Sequence, residues 1–167
     1  MAQLTYNDFF DLGFEGQLAD GSPDRFIQSK VNAAASMEFG RAVVQGATDK
    51  EVALPSAGTG ETFAGVTVHT HATERFLQGP SGGPFVGIPQ NQPANVLTKG
   101  RVVVVPETAV TPADPVYYRW QGAGADPEAL ARFRADADSG DALLVASARW
   151  VTSAAAGEKA ILELNLP

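Results

Sequence analysis

Four consecutive valines, Val102-Val103-Val104-Val105, set between Arg101 and Pro106, constrain the fold more than any other stretch of this chain. β-Branched side chains lose rotamer freedom in a helix and pack well on a pleated surface, so the run predicts a strand buried on both faces. Such a strand needs neighbours on each side and cover above and below. Candidates recur along the chain at residues 26–30, 39–45, 51–54, 63–70, 95–98, 116–120, 143–152 and 160–166, each rich in Val, Ile, Thr, Leu or aromatics. Turn signals separate them, including Asp20-Gly21-Ser22-Pro23, Lys99-Gly100 and Thr111-Pro112-Ala113-Asp114-Pro115, and the chain holds 17 Gly and 11 Pro. The expected fold is mainly β, a single sandwich or barrel-like domain in which Val66, Val68, Val103, Val105, Leu162 and Leu164 are buried.

Two segments fall outside that pattern. Asp126 as a cap, Pro127 at a first helical position and Glu128 four residues before Arg132 predict one short helix over 126–136, with Leu130 and Phe133 as its apolar face. Residues 78–93 are dominated by Gly, Pro, Ser, Asn and Gln and predict a long surface loop. The opening residues, with Tyr6, Phe9, Phe10 and Phe14, read as an extended arm over 1–15 ahead of a β-rich domain over 16–167.

Composition excludes several functions. A length of 167 residues suits one domain with its own core, and the absence of cysteine removes disulfides, thiolate metal sites and cysteine nucleophiles. No start resembles an export signal and no run approaches a membrane span, so a soluble, unexported protein is expected. With 12 Lys+Arg against 19 Asp+Glu, the formal charge is −7 and the cations are scattered, which disfavours nucleic acid as a partner.

Candidate chemistry reduces to bland readings. Gly79-Pro80-Ser81-Gly82-Gly83 matches a hydrolase elbow in letters, but Pro80 precedes the serine and Pro84 prevents the helix that must follow. His69 and His71 share one side of a strand, yet a metal site needs a third ligand, and Glu74 is the nearest carboxylate; a pair on a wet face is expected. Gly58-Thr59-Gly60-Glu61-Thr62 lacks the lysine of a phosphate loop and reads as a turn. Asp136 and Asp138 are expected in solvent. No catalytic, cofactor or metal site is expected. Adjacent aromatics on extended chain point to opposite sides, and the arm is too short to bury Tyr6, Phe9 and Phe10 by itself. A partner surface is therefore expected from these three, with Phe76, Leu77 and Phe85 beside the 78–93 segment as a second contact.

The order of features resembles the bacteriophage structural cement (capsid head decoration) protein family. The lead Met1-Ala2-Gln3-Leu4-Thr5-Tyr6 and the stretch Gly13-Phe14-Glu15-Gly16-Gln17-Leu18-Ala19-Asp20 are similar to that family's opening. So are the strands around Phe39 to Val44, Phe63 to Val68, Lys99 to Tyr118 and the Leu-Glu-Leu-Asn-Leu ending at Leu162 to Leu166. The likeness spans nearly the whole chain, and its specificity lies in order and combination. The 126–138 segment is the departure, read as an insertion. The resemblance implies a β-rich homotrimer, made in the host bacterial cytoplasm, that sits at local threefold points outside a phage capsid and clamps major capsid protein subunits without catalysis. The competing class is a small β-rich enzyme or carbohydrate-binding module using the 78–93 loop.

Overall fold

The computed structural model describes residues 12–19, 24–71, 75–78, 84–122 and 129–167. Thirteen strands are present among them: β1 (Phe26–Asn32), β2 (Ser36–Glu38), β3 (Ala42–Gln45), β4 (Glu51–Ala53), β5 (Phe63–Thr67), β6 (Arg75–Gln78), β7 (Pro84–Pro89), β8 (Pro93–Val104), β9 (Tyr117–Arg119), β10 (Phe133–Arg134), β11 (Ala142–Leu144), β12 (Ala148–Trp150) and β13 (Ala160–Asn165). The expectation of a mainly β, barrel-like domain is met. Among the described residues no helix is long and apolar enough to cross a membrane.

The main sheet runs β1-β4-β3-β5-β8-β13-β12, and a further β1–β8 pairing closes its first five strands into a barrel. Closure depends on the length of β8. Its 12 residues pair with β1 from Pro93 to Lys99, with β5 at Val96 and Leu97, and with β13 from Lys99 to Val104. The first half of β8 therefore seals the barrel, and the second half carries β13 and β12 as an extension. Gly100, at φ 126°, lies at the change-over and lets a single strand serve both.

Both faces of this sheet are covered, as the valine run requires. Ala42, Val44, Val66, Leu97, Val102 and Val104 join a large core that includes Tyr118, Phe133 and Trp150. Val43, Val52 and Val96 face the other way, into a second core with Met37, Phe39 and Ile88. The first cover comes from a small sheet, β10-β9-β11, and the second from β2-β7-β6. Asn32 ties β1 to that second cover: its Nδ2 donates to the carbonyls of Ile88 (2.9 Å) and Pro89 (3.1 Å), and its Oδ1 accepts from Ala34 N–H (2.8 Å). Every polar atom of this buried amide group is thus used, which is the condition for burying it.

The structure corrects several expectations. No α-helix forms over the described part of 126–136; Ala131 turns to φ 65°, and Phe133–Arg134 pair with Tyr117 and Tyr118 of β9. Phe133 is completely buried, so pairing plus burial outweighs the local helical signals. The described part of the 78–93 segment holds a strand where a loop was expected: β7 pairs with β6 on one side and with β2 on the other. Its described prolines stand at the first or last positions of strands, Pro84 and Pro89 bounding β7 and Pro93 opening β8, where a missing N–H is tolerated. The 143–152 stretch divides into β11 and β12, which belong to different sheets. Val66, Val68, Val103, Leu162 and Leu164 are buried, whereas Val105 is half-buried just past the end of β8.

Candidate functional site

Residues 13–19 form a strap laid across the barrel. Gly16 N–H donates to Val103 O (2.8 Å), Val103 N–H to Gln17 O (2.8 Å), Ala19 N–H to Arg101 O (3.0 Å) and His69 N–H to Gly16 O (2.8 Å). The strap thereby occupies the side of β8 opposite β13. Two glycines permit the approach. Gly16 (φ 81°) and Gly40 (φ 71°) adopt left-handed conformations, and a Cβ on Gly16 would lie 2.7 Å from Phe39 Cβ and 2.9 Å from Gly40 N.

Beside the strap opens a cleft of about 530 Å³ lined by Phe14, Glu15, Glu38, Phe39, Arg41, His69, His71, Val86 and Arg132. Its charged floor is held from β5. The Thr67 hydroxyl accepts from Arg41 N–H (2.9 Å) and donates to Glu38 O (2.8 Å), fixing the turn that carries Arg41 inward. Arg41 is buried; its Nε–H donates to Glu38 Oε2 at 2.6 Å, its Nη2 also meets that oxygen, and its Nη1 stands 3.7 Å from Glu15 Oε1. Burial pushes the Glu15 carboxyl above the ordinary glutamate range, against the pull of Arg41, Arg132 and a hydrogen bond from the Val105 backbone. The wall is aromatic: the His69 ring lies 4.4 Å from Phe14 and 4.5 Å from Phe39, centroid to centroid, and His71 is 4.8 Å from His69. His69 is therefore half-buried between two phenylalanines, while His71 is exposed as expected.

A second charged group lies under the small sheet. Glu107 accepts from Arg119 Nε (2.8 Å) and Arg134 Nη1 (3.0 Å), and Asp138 accepts from both arginines. Asp136 also pairs with Arg134 at 2.8 Å. Both aspartates remain open to solvent, Asp136 at 56% and Asp138 at 38% exposure, and both also serve as counter-ions of buried arginines. Hydrogen bonding from Arg119, with Arg134 nearby, holds the Asp138 carboxyl below the usual carboxylate range.

The sequence-predicted contact residues divide into two sets. Tyr6, Phe9 and Phe10 lie outside the described residues, as do Ser81 and Glu74. Phe76, Leu77 and Phe85 fall on the β6–β7 hairpin, where Phe76 pairs with Val86 and Leu77 with Phe85. That hairpin contributes Val86 to the cleft, and the strap contributes Phe14, which is 45% exposed. Phe14 of the strap and Val86 of β7 therefore line one cleft. Sequence reasoning missed the Glu15–Arg41–Arg132 cluster, whose members are scattered along the chain without a local pattern. Among the described residues the lining offers carboxylates, guanidinium groups and imidazoles but no hydroxyl, thiol or amine nucleophile. Among the described residues no group of three His, Cys, Asp or Glu could hold a metal ion. The Gly58–Gly60 stretch is a bend, and Glu61 accepts from Ser56 N–H (3.0 Å), as a turn requires.

Comparison with known proteins gives three findings. No curated protein sequence matches. A solved chain from the capsid of Myoviridae phage XM1 is similar in fold, with a TM-score of 0.69 and 22% identity over 99% of this chain and 97% of that one. The family model described as structural cement protein (E217 gp24/Pam3 gp6) matches residues 2–165. A match over nearly the full length, in a chain whose strap, closed barrel and covering sheets account for the motifs that resembled this family, places the protein in the phage structural cement protein family.

Proposed function

We propose that this chain binds the outer surface of a phage capsid as a homotrimer and stabilises contacts between major capsid protein subunits. The observation that carries the reading is the convergence of strap and hairpin on one barrel face, with Phe14 half exposed between them. Residues 1–15 act as the arm and 16–167 as the capsid-binding domain, and the arm reaches its partner from this face. Tyr6, Phe9 and Phe10 supply large apolar area to that partner, with Phe76, Leu77 and Phe85 of the hairpin as the neighbouring contact.

The role needs no chemistry. A ligand that binds only the expanded shell stabilises it by mass action, and many modest contacts suffice when copies are arrayed on a lattice. The charge of −7 suits an outermost position by keeping particles apart, and it gives nucleic acid no attraction. The protein is made in the host bacterial cytoplasm and resides in the virion. The test is to titrate the purified chain onto expanded and unexpanded shells of its phage. Saturable co-sedimentation with expanded shells and a raised shell melting temperature are expected. Failure to bind, or binding without any gain in shell stability, overturns the reading.

A further inference from the structure

Arg41, Arg101, Arg119, Arg134 and Arg149 are each ion-paired with a carboxylate. Among the described residues Arg132 has no such partner and its side chain makes no hydrogen bond. Arg25 lacks a partner as well, but it is exposed. Arg132 is half-buried and its Nε is closed off from water without an acceptor, which leaves Nη1 and Nη2 as the donors it offers the cleft it lines. A guanidinium that has given up part of its hydration without gaining a counter-charge is unfavourable on its own. Acids are not scarce in this chain, at 19 against 12 basic residues. The two in the cleft lining are spent on Arg41 instead: Glu38 lies 2.6 Å from its Nε and Glu15 3.7 Å from its Nη1, and Arg132 acts on Glu15 only at longer range.

The backbone holds Arg132 where it is. Ala131 is fully buried at φ 65°, a left-handed conformation that alanine keeps only when its surroundings impose it. Hydrogen bonds impose it: Ala131 N–H donates to Arg119 O (3.0 Å), Ala131 O accepts from Ala42 N–H (2.8 Å) and Arg132 O accepts from Arg119 N–H (2.9 Å). The cation therefore stands on a fixed base, in a cleft of about 530 Å³ that it shares with half-exposed Phe14 and exposed His71.

We propose that this cleft receives one acidic side chain of the major capsid protein, its carboxylate seated end-on against the Arg132 guanidinium and an apolar neighbour lying on Phe14. The inference rests on the capsid-binding reading and names the chemistry of that contact. A planar guanidinium with two parallel N–H donors free is matched by a carboxylate, and arginine anchors are over-represented among residues that dominate binding energy. Glu15 and Glu38, held on the Arg41 side, repel a second acid and so confine the incoming carboxylate to Arg132. The occupant comes from the capsid because the strap, which lines this cleft with Phe14, is also where the arm leaves the barrel, so a subunit gripped by the arm meets the mouth of the cleft.

The test has two arms, both on the intact chain. In the first, R132Q and R132K are titrated onto expanded shells beside the parent, and the urea midpoint of each is measured. R132Q should bind roughly tenfold more weakly or worse, R132K should recover only part of that loss because an ammonium lacks the planar fork, and neither midpoint should fall. R132Q that binds like the parent, or whose midpoint falls along with its binding, overturns the anchor; the second result would make Arg132 a residue of the fold. A parent chain that ignores shells sinks the capsid reading and the named occupant with it, whereas an unchanged R132Q sinks the anchor alone. The second arm needs no shell: the Arg132 Nε–H resonance is followed as N-acetyl-Asp-Phe-amide is added, with N-acetyl-Asn-Phe-amide as control. A saturable shift with the acid and none with the amide is expected, and equal shifts overturn the proposal. Asp8 and Asp11 of the arm are the rival occupants within the chain. If the D8N/D11N chain shows a displaced Arg132 resonance before any addition, the arm fills the cleft and the capsid carboxylate does not.

Discussion

Glu107 accepts hydrogen bonds from two arginines that water hardly reaches: the Arg119 and Arg134 side chains are 5% and 8% exposed, and Glu107 itself is 11% exposed. Removing one member of such a group leaves buried charge behind, so E107Q should lower unfolding free energy by about 3 kcal/mol or more in urea titrations. A loss below about 1 kcal/mol would mean that Asp136 and Asp138 alone satisfy the arginines. The surface pairs of Glu163 with Arg101 and Arg149 provide the contrast, since Arg149 is 67% exposed and solvent screens it. Asp138 and Glu163 both titrate below the usual carboxylate range, chiefly through hydrogen bonds from Arg119 and Arg101. A lowered folded pKa gives stability that is present at neutral pH and is lost as pH falls through that lowered value. The urea midpoint should therefore drop below about pH 4, and D138N should show a shallower acid decline than the parent chain. An identical decline in D138N would remove Asp138 from that account.

At the scale of elements, Gly65 marks a close approach of β5 to β8. Gly65 has φ 141°, and a Cβ there would collide with the Leu97 carbonyl oxygen of β8 and crowd Val96. G65A should therefore cost about 3 kcal/mol, with faster exchange at Val66 and Leu97 than at Leu162. A cost near zero would show that β5 can slide without opening the ring. The β-rich class, the valine strand and the alternating C-terminal strand were legible in the residues because burial on two faces or one is written locally in composition and period. The helix over 126–136 was not excluded locally, since its capping and charge spacing are sound; Phe133 buried against the main core and Arg134 paired with Glu107 decide the matter from a distance. Strand β7, within the 78–93 segment, was hidden by prolines that mark strand ends as readily as loops. The strap cleft was illegible for a different reason: Glu15, Arg41, His69 and Arg132 come from four parts of the chain, and topology alone assembles them.

For the molecule as a whole, the strands that close the barrel all begin at or after Phe26, and the strap bonds begin at Gly16. Ring closure is thus complete in strands that lie after the first ten residues, and Tyr6, Phe9 and Phe10 carry apolar area that an acidic, monomeric chain would not keep in water. If these aromatics dock on a capsid subunit or a neighbouring copy, their contribution belongs to assembly and not to folding. Deleting residues 1–10 should then leave the urea midpoint of the isolated domain within about 0.5 kcal/mol of the parent. The same deletion should weaken binding to expanded shells by at least tenfold, or abolish the trimer in sedimentation, because losing even one buried aromatic anchor costs about 2 kcal/mol or more. Shell titration and sedimentation of the truncated chain, run beside the full chain, separate the two contributions. Truncated protein that decorates shells as tightly as the full chain would leave the arm without a role in grip and confine the contact to the hairpin side of the cleft.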